Sequence, residues 1–192
     1  MVSLTCIKRL KRNLGAVELA GDVEMMEAAV TLFFPVLMAY SACSDLFTMT
    51  ISNRISVALV VVFPILALAL GAPFTLILWH LSCGAGMLCI VLFFFSMGWI
   101  GGGDAKLATA TAVWLGWEKV LEYGLIATVL GGGLTLALIA VRKWPLPAFL
   151  LRHPWIARLH DEKSGIPYGI ALAAAGLLIY PQTLVWLQAI GV

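Results

Sequence analysis

The chain has 192 residues, 62% of them hydrophobic and only 11% charged, with a mean hydropathy of +1.02. Soluble domains are about a quarter charged, so the composition excludes an ordinary soluble enzyme. It implies an all-α, multi-pass membrane protein built as one compact helical bundle in a lipid bilayer. A net charge of +2 gives no electrostatic footprint for nucleic acid.

In chain order, residues 1–26 read as a polar, basic leader carrying Lys8, Arg9, Lys11 and Arg12. It lacks the long apolar core of a cleavable signal peptide. Two readings stay open for it: a short amphipathic helix at the membrane surface, or a biological start at Met25 or Met26. Residues 27–192 read as a single polytopic domain. Within it, apolar segments are expected at about 28–44, 55–70, 74–97, 104–116, 119–141 and 166–190, separated by turn signals such as Gly71-Ala72-Pro73. Trp79 and Trp99, near the ends of the third segment, suit interfacial anchors. The fourth segment is too short to cross ~30 Å of hydrocarbon upright at 1.5 Å per residue. It crosses if its glycine-rich flanks dip into the bilayer, and about six spans are expected.

Six spans place the loops 45–54, 98–104 and 142–163 on one side. That side carries Arg54, Lys106, Arg142, Lys143, Arg152, Arg158 and Lys163, seven of the twelve basic residues. Outside the leader, Lys119 alone lies opposite, so the positive-inside rule makes this side cytoplasmic.

Two acids interrupt the apolar pattern on that side. Asp45 closes the first segment, and Asp104 follows Gly101, Gly102 and Gly103. A charge in or beside a membrane segment costs roughly 2.5–3.5 kcal/mol on insertion scales, which makes it a functional candidate. If the two carboxylates come within a few Å they cannot both ionise easily, and the pair shares a proton. One can then draw a proton from water while the other donates to a scissile carbonyl. Asp45 stands at a helix C-terminus and Asp104 at an N-terminus, so the dipoles favour Asp45 as the partner holding the proton. Gly101 and Gly103, lacking Cβ atoms, let an extended backbone approach. Read structurally instead, Asp104 is a helix N-cap.

Other candidates carry less chemistry. Cys43, Cys83 and Cys89 lie in apolar runs, where cysteine acts as a small buried hydrophobe, and no C-x-x-C pair suggests zinc. His80, His153 and His160 lack metal-ligand spacing, so neither metal nor cofactor is expected. Glu118 and Glu122 belong to the side opposite the acids. Gly124, Gly131, Gly132 and Gly133 read as helix-packing positions.

Gly101-x-Gly103-Asp104 resembles the G-x-G-D motif of membrane aspartyl proteases, and three features resemble their type IV prepilin peptidase branch. Ile51-Ser52-Asn53-Arg54 after Asp45 is similar to that family's D…I-P-N segment, with Ser52 where proline is usual. Asp104-Ala105-Lys106-Leu107 resembles its G-D-x-K-L, and Pro167-Tyr168-Gly169 its P-[YF]-G opening the last helix. The resemblance implies catalytic Asp45 and Asp104, with Gly101, Gly103, Lys106, Asn53, Arg54 and Tyr168 as substrate-binding or supporting residues. About ten residues separate the first two segments, without cysteine pairs, so the chain resembles the short class of tight-adherence (Flp-type) systems, which cleaves without methylating. The implied substrate is a prepilin or pseudopilin with a basic leader, cut at the cytoplasmic face of the bacterial inner membrane, with pilus or secretion-machinery components as possible partners. The resemblance also suggests that Lys106 pairs with an acidic residue of the mature pilin. The rival readings are an ion- or proton-coupled transporter, a non-catalytic secretion-system assembly factor, and a presenilin-like protease. The last group's usual tyrosine before the first aspartate is replaced by Ser44.

Overall fold

The computed structural model describes residues 28–147, 149–150 and 152–183. The leader and the end of the sixth predicted segment fall outside the described residues. All regular elements within them are helical. These are α1 (Ala28–Thr48), α2 (Asn53–Ala69), α3 (Phe74–Ser96), α4 (Gly102–Arg142), α5 (Pro154–His160) and α6 (Tyr168–Ile179), the last followed by a 3-10 turn at Tyr180–Gln182. By length and composition α1, α3 and α4 can each cross a membrane, while α2 and α6 are shorter apolar helices. The protein is an all-α membrane protein.

Local chemistry sets the helix ends. Gly71 (φ 76) and Gly98 (φ 73) adopt the left-handed conformation after α2 and α3. After α3, Gly98 N–H donates to Phe95 O and Trp99 N–H to Phe94 O, satisfying carbonyls that the helix leaves open. The first helix ends on the same device with a different residue. Met49 takes φ 55 and donates its N–H to Asp45 O at 2.9 Å. Thr48 Oγ1 also donates to Ser44 O at 2.7 Å. These bonds carry α1 one turn beyond its expected end at Asp45.

α4 contains both the fourth and fifth predicted segments, broken at Gly116 (φ 69, ψ 177). The chain reverses there, because Asp104 at the start of α4 and Arg142 at its end line the same cavity. A side chain at Gly116 would be strained by its φ. It would also collide, since a Cβ would lie 2.7 Å from Glu118 Oε2 and 2.9 Å from His80 Cε1.

The arm from 102 to 115 is the centre of the bundle. Ala105, Leu107, Ala108 and every residue from 110 to 116 are buried, and α4 packs against α2, α3 and α6. Its shortness is compatible with membrane depth because protein, rather than lipid, surrounds it. The arm from 117 to 142 is peripheral. It buries Tyr123, Ala127 and Gly131 on one face and exposes Leu121, Leu125, Val129 and Leu136 on the other, as a lipid-facing helix does.

Of the glycines read as packing positions, Gly131 alone has a close neighbour, the Tyr168 ring; a Cβ at Gly124, Gly132 or Gly133 would meet nothing within 4 Å. The cysteines also divide: Cys83 is buried, whereas Cys43 and Cys89 lie on the outer surface. The basic loop holds an unpredicted helix, α5, with Pro154 in its first turn. It docks on the end of α1, where Arg158 Nη1 donates to Phe47 O at 3.0 Å and Trp155 meets Phe47 edge-on.

Candidate active site

In α1 the buried positions are Val30, Phe34, Met38, Ser41 and Asp45. Steps of three and four residues put all five on one helix face, so the stripe that buries the helix also carries Asp45 inward. Its side chain reaches the start of α6. Gly169 N–H donates to Asp45 Oδ2 at 2.8 Å. A Cβ on Gly169 would lie 2.8 Å from Asp45 Oδ2 and 2.7 Å from Ile51 Cδ1. Only glycine lets the carboxylate this close.

Asp104 occupies the third position of α4, whose N-cap is Gly101 rather than the acid. Its carboxylate turns back towards the helix start, where a Cβ on Gly101 would lie 3.1 Å from Asp104 Oδ2. Asp45 and Asp104 line one cavity of about 1110 Å³, and the charge of Asp45 acts on Asp104. Ile51 wedges between the two helix starts, since it neighbours Gly103 as well as Gly169. In sequence terms Asp45 faces only the C-terminal dipole of its own helix. In the fold it also meets the N-terminus of α6, so dipoles no longer separate the two acids.

The cavity brings together Asp45, Gly101, Gly103, Asp104 and Tyr168. Tyr168 hydrogen-bonds away from the acids, its hydroxyl donating to Ala127 O at 3.4 Å. Lys106, Asn53 and Arg54 are not in the lining. Lys106 Nζ instead donates to Asn53 Oδ1 at 2.8 Å, tying α4 to α2. Ser52 is the N-cap of α2, with φ −66. Proline fixes the same φ, so the serine leaves this turn's shape intact.

Sequence reasoning missed Arg142, which also lines the cavity. Its Nε donates to Leu159 O at 2.8 Å, and its Nη2 to Ser164 O and Gly165 O at 3.3 and 3.1 Å. The loop so held runs directly into α6 and the Gly169 N–H. Arg142 could have been noticed as the arginine ending an apolar segment, but nothing in sequence tells a clamp from an interfacial charge.

The far end of the bundle holds the other polar cluster. His80 Nδ1 donates to Val113 O at 2.8 Å, and its ring stacks on Phe63. Glu118 accepts from Trp79 Nε1 at 3.0 Å, and Glu122 pairs with Lys119 at 3.0 Å. Among the described residues, no group of His, Cys, Asp and Glu is arranged to hold a metal.

The model of the type IV leader peptidase family matches residues 32–136, more than half of the chain. The chain belongs to the type IV leader peptidase family. No curated protein and no solved structure matches it. The family match includes both acids of this peptidase and the glycines before Asp104. It ends before Arg142 and α6; Tyr168 was expected there from the sequence, whereas the Arg142 contacts and the Gly169 bond to Asp45 are visible only in the fold.

Proposed function

We propose that this peptidase is an aspartyl endopeptidase. It would remove the basic leader of a type IV, Flp-type prepilin or pseudopilin at the cytoplasmic face of the bacterial inner membrane, without methylating the product. The observation that carries this reading is the convergence of Asp45 and Asp104 on one cavity. Its volume of about 1110 Å³ exceeds the ~300–1,000 Å³ usual for small-molecule sites and suits a peptide.

In the proposed reaction one carboxylate accepts a proton from water, and the oxygen attacks the scissile carbonyl carbon. The other, protonated, carboxyl donates to the carbonyl oxygen. The tetrahedral intermediate then collapses: the carboxyl that took the water's proton gives it to the leaving amine as the C–N bond breaks, and the other carboxylate takes back the proton of the intermediate's hydroxyl. Gly101 and Gly103 leave room for the substrate backbone beside Asp104. Lys106 and Asn53 support the site by joining the helices next to it. Six helical segments alternating in direction, with the basic loops beside the acids, support the cytoplasmic placement and the six-span count. A transporter would need its acids to be reached from both ends, whereas Trp114 and His80 are buried across the far end.

The test is cleavage of a co-expressed Flp-type prepilin in membranes, read as a gel shift. Wild type is expected to cleave, and Asp45→Asn and Asp104→Asn to accumulate precursor at equal expression, with losses of about 10³-fold or more. Normal cleavage by either variant removes that acid from catalysis. Failure of wild type on several prepilins overturns the reading.

A further inference from the structure

We propose that Glu162 is a specificity-determining residue that takes a cationic side chain of the substrate, lysine or arginine, close to the scissile bond. The inference rests on the protease reading above. Among the described residues, four charged ones line the cavity: Asp45, Asp104, Arg142 and Glu162. Arg142 directs its donors to the carbonyls of Leu159, Ser164 and Gly165. Glu162 forms no ion pair among the described residues, where the one such pair joins Lys119 to Glu122. Even with one proton shared by the aspartates, the lining therefore stays negative. Such a wall attracts a cation and rejects an anion at the same position.

The fold also builds the position of Glu162. A tight turn surrounds it: Ser164 N–H donates to Asp161 O at 3.0 Å, and Lys163 N–H to Asp161 Oδ1 at 3.0 Å. Asp161 thus uses its carboxylate within the turn, and Glu162 does not. Arg142 grips the chain on both sides, at Leu159 before the turn and at Ser164 and Gly165 after it. The same guanidinium therefore fixes Glu162 at the cavity and holds the loop that delivers Gly169 to Asp45. One element couples the charge that would select the substrate to a carboxylate that would cut it.

The test uses the full-length protein in detergent micelles with the Flp-type prepilin. The prepilin is supplied unchanged and with each leader lysine or arginine near the scissile bond replaced in turn by glutamate. Glu162→Lys is expected to lower kcat/KM for the unchanged prepilin by roughly three- to tenfold, mainly through KM. It is also expected to prefer one glutamate-bearing prepilin that wild type cleaves poorly. Glu162→Gln should fall between them. Because Glu162 is exposed, both variants are expected to fold. The same substrate ranking in wild type and Glu162→Lys overturns the proposal. So does an equal loss on every prepilin, which would make Glu162 an internal partner of Arg142. A wild type that cleaves no prepilin refutes the protease reading, and this inference falls with it.

Discussion

The two ends of this helical bundle both hold polar side chains, but they use them differently. At the far end, His80 Nδ1, Glu118 and Trp79 bond to the protein around them, and Gly116 packs against the remaining ring edge, leaving His80 Nε2 buried without room for a ligand. At the acid end, Asp45 accepts the Gly169 N–H from the start of α6, and both Asp45 and Asp104 keep an open cavity in front of them. The far end joins α3 to the two arms of α4. The acid end leaves its carboxylates free to meet another molecule. A buried polar residue in a membrane protein is thus best judged by what it still faces after its bonds are counted.

The largest way to break this contrast is at Gly169. Gly169→Ala places a Cβ against Asp45 and Ile51, and cleavage is expected to fall about 10²-fold, as for a misplaced catalytic group. Gly124→Ala, inside α4 where a Cβ meets nothing within 4 Å, should leave activity unchanged and stabilise the fold by up to about 1 kcal/mol. Equal activity of the two variants in the prepilin gel shift would show that the Gly169 contact does not position Asp45.

At the far end the effect should move from activity to stability. His80→Ala removes a bond to Val113 and a ring stacked on Phe63, at a cost of about 2–4 kcal/mol. Thermal melting in detergent should show the loss, while turnover per folded molecule stays within about twofold. A turnover defect without a melting shift would place His80 in the chemistry instead.

Smaller effects test the rim of the cavity. Met49 holds a left-handed conformation that costs a non-glycine residue about 1–2 kcal/mol. Met49→Gly is expected to raise stability by up to about 1 kcal/mol, after glycine's greater unfolded-state entropy is set against the relieved strain. A drop in melting temperature would mean that the methionine side chain contributes more than its backbone costs. Ser52→Pro should be the mildest, within about 1 kcal/mol. The fitting φ offsets the loss of a long cap bond to Arg54 N, at 3.4 Å.

The acids, the glycines before Asp104, and Tyr168 were legible because the chemistry of a polar group in an apolar run is local. The inward aim of Asp45 was not, since the buried stripe of Val30, Phe34, Met38 and Ser41 is no more apolar than the exposed Leu32, Val36 and Tyr40 of the same helix. The extents of the first five segments were nearly legible, with differences of a few residues where Thr48, Ser52 and Gly98 set the ends; the sixth, expected over 166–190, instead leaves the α-helix at Ile179 for a 3-10 turn at Tyr180–Gln182. The role of Arg142, the turn that holds Glu162, and α5 were not legible. Each depends on backbone carbonyls or rings far away in the chain.

The sequence by itself determined that this is a membrane bundle with two acids at segment ends, because hydropathy and charge act through composition and near neighbours. Only the tertiary structure decided that the chain reverses at Gly116, that the short arm is the buried centre, and that α6 gives the Gly169 N–H to Asp45. Those outcomes depend on which helix faces meet, and a backbone N–H carries no side-chain label by which a sequence could announce its partner.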